Sequence, residues 1–73
     1  MFTRNVLVYR DPESDYWIVE CPSLPGCVSQ GKTREEAINN IKEAIEVYVE
    51  VLIEDGRPIP VDTVETIPVT VTL

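Results

Sequence analysis

Histidine is missing altogether. That removes the usual general base of enzyme sites and the central member of hydrolytic triads. Cysteine is scarce, and the spacing of Cys21 and Cys27 matches none of the usual zinc pairs, so no metal set can be assembled around them. No glycine-rich loop is present to cradle a phosphate. Cations are few: 6 Lys and Arg against 13 Asp and Glu, a formal net charge of −7. Direct binding to nucleic acid is dominated by cations meeting phosphates, so this balance argues against it. No apolar run approaches a membrane span, and the N-terminal residues lack the charged and apolar regions of a signal peptide. The expected setting is therefore cytoplasmic, with no membrane partner. On chemistry alone the chain reads as a non-enzymatic module without metal or cofactor.

The 73 residues make one domain. A chain of this size buries only ~60% of its unfolded surface, which leaves a thin core margin. Oligomerisation is one common remedy. The acidic balance suits a basic partner through long-range steering, and it also serves solubility.

Residues 2–10 read as a first strand. The unbroken apolar run Val6, Leu7, Val8, Tyr9 predicts a central strand covered on both faces. Residues 11–15 form a turn by composition, with Asp11, Glu13 and Asp15 at its tip. Residues 16–21 alternate as a second strand, Tyr16, Ile18 and Glu20 on one face and Trp17, Val19 and Cys21 on the other. Pro22 ends it, since proline cannot donate to a ladder. Pro25-Gly26 fits the middle of a type II turn. Residues 27–30 are a short third strand, expected at an edge, which Gly31 breaks. Cys21 and Cys27 fall at adjoining strand ends. Small buried thiols are the better reading than a disulfide, because cytosolic thiols stay reduced.

Thr33-Arg34-Glu35-Glu36 fits a capping box, with the Glu36 carboxylate reaching back to the Thr33 amide. The helix it starts runs to Glu54 or Asp55, where Gly56 and then Pro58 stop it. Ile38, Ile41, Ile45, Tyr48 and Leu52 form the expected core stripe, flanked by Ala37 and Ala44. Val47, Val49, Val51 and Ile53 are in excess of one face and are the expected self-association residues. The helix carboxylates read as a solvated face. Residues 67–73 alternate Ile67, Val69, Val71 and Leu73 with Pro68, Thr70 and Thr72, a fourth strand with one buried face.

The order strand, strand, strand, helix, strand predicts an α+β, two-layer β-β-β-α-β domain. Its four-stranded mixed sheet carries one helix on one face, and the crossover returns strand four beside strand one. The other sheet face, with Tyr16 or Trp17 on it, calls for a partner or a second copy.

One block carries a family pattern. Tyr16-Trp17 open an aromatic-rich strand, followed by Pro22-Ser23-Leu24-Pro25-Gly26-Cys27, then Gln30-Gly31, then Thr33-Arg34-Glu35-Glu36-Ala37. Beyond the helix comes Glu54-Asp55-Gly56-Arg57-Pro58-Ile59-Pro60. In both parts the chain resembles the HicB family of toxin–antitoxin systems. The resemblance implies a partial RNase H-like fold and a binding role, in which the domain sequesters HicA, a small basic RNA-cleaving toxin, and masks its active surface. RNase H enzymes hold magnesium on acids that begin in strand one. Here no acid precedes Asp11, so a magnesium nuclease is not supported. Many HicB proteins carry a further C-terminal DNA-binding domain. Residues 1–73 are expected to be a single HicB-like domain without one.

The resulting expectation is an antitoxin-like domain that neutralises a HicA-type toxin by occlusion and charge complementarity. Asp11, Glu13, Asp15 and an open-face Trp17 are the expected contacts, and the assembly is a homodimer or higher oligomer. The rival expectation is a stand-alone homo-oligomer with no toxin.

Overall fold

The computed structural model describes residues 2–73. Strands β1 (Leu7–Arg10), β2 (Trp17–Glu20) and β3 (Val28–Gly31) form an antiparallel sheet in that order. One helix, α1 (Arg34–Glu54), packs across it. The register sets Val8 opposite Val19 and Val19 opposite Ser29. Val19 is fully buried, so its alternate set is the one that faces the helix. Leu7, Tyr9, Ile18 and Val28 occupy the other face.

Local signals in the sequence become local geometry. Cys27 N–H donates to Leu24 O at 3.0 Å, and Gly26 takes φ +83°, which completes the type II turn around Pro25. This turn tucks Leu24 fully into the core with Cys21 and Cys27. The two thiols are free. Burial and the neighbouring Cys21 push the Cys27 thiol up.

At the start of α1, Glu36 N–H donates to Thr33 Oγ1 at 3.0 Å. The returning Glu36 carboxylate accepts from Lys32 N–H at 3.2 Å, one residue earlier than the Thr33 amide expected. At the other end, Arg57 N–H bonds Leu52 O and Gly56 N–H bonds Ile53 O, with Gly56 at φ +66°. That is a Schellman stop, which satisfies two of the last helical carbonyls.

The core is built from Val19, Cys21, Leu24, Cys27, Ala37, Ile41, Ile45, Val49 and Leu52. Fully covering one aliphatic side chain of this kind contributes about 1.5–3 kcal/mol. The expected stripe is rotated slightly. Val49 takes the core position, and Ile38, Ala44 and Tyr48 sit half-buried at its margins. Val49 is thus unavailable for self-association, because its neighbours Ile45 and Leu52 bring it under the sheet. Gly31 is the last residue of β3, opposite Trp17, rather than a break just after it.

Two expectations about the sheet are corrected. The sheet has three strands among the described residues, and β1 is an edge strand, not a central one. Leu7 is 37% and Tyr9 49% exposed because both lie on the sheet face that the helix does not cover. Residues 67–73 form no strand in this structure. Upstream of them, the Asp62 carboxylate accepts the Asn5 backbone N–H and, at 3.2 Å, the Val64 N–H.

Candidate partner-binding surface

The expected contact residues fall at two ends of the molecule. Trp17 pairs with Gly31, and Gly31 lies against the first turn of α1, so the hairpin tip is at the end where the helix starts. Gly26, Cys27 and Val28 lie along the far half of the helix with Val47 and Val51.

At the tip, the three acids differ. Asp11 is committed to holding the turn. Its carboxylate accepts the Glu13 N–H at 3.0 Å and the Ser14 hydroxyl at 2.8 Å, and these bonds hold its carboxyl below its ordinary value. Asp15 sits at φ +64°, a left-handed conformation that Asp tolerates, and pairs with Arg10. Both side chains of that pair are well exposed, so it contributes little to stability. The Glu13 carboxylate makes no ion pair or hydrogen bond among the described residues. Of the three, it is the charge most available to another molecule.

Trp17 is not on the open face. It shares the helix side with Val19 and packs half-buried against the core. Alternation alone defines two sets of residues and does not say which set meets the helix. The aromatic exposed on the open face is Tyr9.

At the far end, a groove runs between the edge strand β3 and α1. Val28, Ala44, Val47, Tyr48 and Val51 line it. Val28, Val47 and Val51 are 54%, 59% and 47% exposed. Tyr48 is oriented by its hydroxyl, which donates to Pro25 O at 2.9 Å and so ties the helix to the type II turn. Glu43 stands at the rim, and Glu50 and Glu54 follow on the same exposed flank at helical spacing. Arg57 is the one cation lining the groove. Ile53 is not part of it. At 3.6 residues per turn it stands roughly 200° around the helix from Val51, on the opposite flank.

The sequence pointed to Val47 and Val51 through their surplus apolarity. It did not single out Val28, whose exposure follows from the edge position expected for its strand. Among the described residues no group of three or more His, Cys, Asp or Glu is gathered for a metal ion, and no helix is long and apolar enough to cross a membrane. What the geometry offers is an apolar groove with an acidic rim and, at the opposite end, an acidic tip.

Comparison with known proteins agrees with this fold. Residues 5–70 match the family model described as the HicB-like antitoxin of bacterial toxin–antitoxin systems. A UPF0150 protein of Thermoplasma acidophilum is 48% identical over 65 residues, covering 89% of this chain and 93% of that protein. A UPF0150 protein of Archaeoglobus fulgidus is 46% identical over 61 residues, covering 81% and 88%. Among solved structures, the N-terminal domain of the Burkholderia pseudomallei antitoxin HicB superposes with a TM-score of 0.65 at 37% identity, covering 89% of this chain and 69% of that one.

Proposed function

The chain belongs to the HicB-like antitoxin family, and on that footing we propose that it neutralises a small, basic, HicA-type mRNA-cleaving toxin by covering the toxin's active surface. The domain acts by binding and not by catalysis. The observation that carries this reading is the groove between β3 and α1, where exposed apolar side chains meet an acidic rim in a chain of net charge −7. A basic protein gains there by apolar burial and is guided there by charge. Val28, Val47 and Val51 supply the apolar contact. Asp11, Glu13 and Asp15 steer the toxin from the opposite end, with Glu13 the leading charge, and Trp17 props the hairpin that presents them.

A second reading assigns the Val47–Val51 flank to another copy of the chain, with no toxin. Its exposed valines favour it. Charge weighs against it: in a two-fold contact this flank would face itself and bring Glu43, Glu50 and Glu54 against their own counterparts.

Co-expression with a short, basic HicA-type protein tests the proposal. A stable complex is expected, and one that weakens when Val47 or Val51 becomes Asp. Recovery of the two proteins separately at low salt would refute it.

A further inference from the structure

Residues 67–73 form the most exposed apolar stretch in the chain, with Ile67, Val69 and Val71 67%, 79% and 72% exposed. The segment just ahead of them is anchored. Asp62 takes the Asn5 N–H, and the Asn5 side-chain amide donates to Val64 O at 3.4 Å. These bonds lay residues 62–64 beside Asn5, just ahead of β1. Ile67 follows Asp62 at the same spacing at which Arg10, the last residue of β1, follows Asn5. Extended strands advance at nearly equal rates, about 3.3 Å per residue. A tail continuing parallel to its own β1 would bring Ile67 level with Arg10 and carry Val69, Val71 and Leu73 past the sheet. A tail running the opposite way would leave past Phe2.

The site such a strand needs is nevertheless present. The outer edge of β1 is unpaired among the described residues. Beside it, Phe2, Val6, Ile38, Ile41 and Ile45 form the apolar floor of a groove that Arg4, Lys42 and Glu46 also line, on the flank of α1 opposite Val47. An unpaired edge next to an apolar groove is a template for strand addition.

We propose that residues 67–73 of one copy add to the outer edge of β1 in a second copy, and reciprocally, so that the two chains exchange their last strands. The alternation fits this placement. Ile67, Val69, Val71 and Leu73 turn their side chains over the groove and their backbone groups toward β1. Pro68, Thr70 and Thr72 then turn their backbone outward, where Pro68 has no N–H to offer a further strand. The exchange therefore closes as a pair and does not propagate. The occupant is a second copy because the segment carries no charged side chain. Two acidic molecules can join through it without setting carboxylate against carboxylate. The exchange restores the four-stranded sheet that the alternation predicts, and it requires no toxin.

Sedimentation at tens of micromolar compares the whole chain with a chain ending at Glu65 and with Val69→Pro. Every core residue lies at or before Leu52, so the shortened chain keeps its fold. The whole chain is expected at twice the monomer mass, and both variants at half of that. In a mixed sample of labelled and unlabelled whole chains, isotope-filtered NMR should show contacts from the Ile67 and Val69 methyls to Val6 or Ile38 of the other copy. The proposal fails if the whole chain is monomeric, if either variant keeps the doubled mass, or if those contacts arise only within one chain.

Discussion

Gly31 and Ala37 meet backbone to backbone: a Cβ placed on Gly31 would stand 2.5 Å from Ala37 N and 2.9 Å from Glu36 Cβ. The end of β3 and the first turn of α1 touch without a side chain between them. Gly31→Ala is therefore expected to destabilise the fold by about 1–3 kcal/mol, the usual range for forcing atoms into a packed contact. Urea unfolding measures this, and a midpoint unchanged from the parent would show that the helix start can move away freely.

Thr33 caps that same helix start. Thr33→Ala removes the hydroxyl that accepts Glu36 N–H and should cost about 1 kcal/mol. Thr33→Ser should restore most of it. Equal losses from both substitutions would mean that the hydroxyl bond is not the cause.

Val49 and Val51 separate core from surface. Val49 is 6% exposed and Val51 47%. Val49→Ala should cost about 2 kcal/mol through the cavity it leaves. Val51→Asp should change stability by less than about 0.5 kcal/mol and act on partner binding instead. The reverse order of thermal midpoints would contradict the helix phase described above.

The anchor at Asp62 predicts a pH dependence. Bonds from Asn5 N–H and Val64 N–H, with Arg4 nearby, hold its carboxyl below the ordinary 3.8. A carboxyl depressed in the folded state contributes stability that is fully present above its unfolded value. That contribution is lost as pH falls through the lower, folded value. The Asn5 amide resonance should thus stay in place at pH 4 and move only as the solution becomes more acidic than 3.8. Movement centred near pH 5 would be inconsistent with the anchor.

Ionic strength bears on the antitoxin reading. Charges that steer from the exposed tip are screened over about 10 Å at 0.1 M salt. Association with a basic toxin should slow as salt rises. Glu13→Gln should lower the association rate and leave the dissociation rate nearly unchanged. A Glu13→Gln effect confined to dissociation would assign that residue a direct contact instead.

Much of this fold was legible because its signals are local. Pro25-Gly26, Thr33-Arg34-Glu35-Glu36 and Gly56 each demand a particular backbone within a few residues, and each has it. The family block was legible for the same reason, being made largely of these turn and cap residues. Phase was harder to read. Valines surround the second half of α1, so its apolar pattern points weakly, and the core chose Val49 where spacing favoured Tyr48. The face of Trp17 was hidden because period-two alternation has no sign until Val19 and Gly31 are seen under the helix. The apolar run in β1 points to a central strand, yet that run says only that cover is wanted. It does not say whether the cover comes from the same chain. The same gap separates the alternation of residues 67–73 from a pairing partner.

The core draws on nothing beyond Leu52. Under the strand exchange proposed above, folding and assembly are therefore separable events with different concentration laws. A protease that clipped the exposed segment after the Asp62 anchor would release a folded, still acidic domain with its groove and tip intact. On the proposed reading, such a cut would alter how many copies travel together before it altered how many are folded.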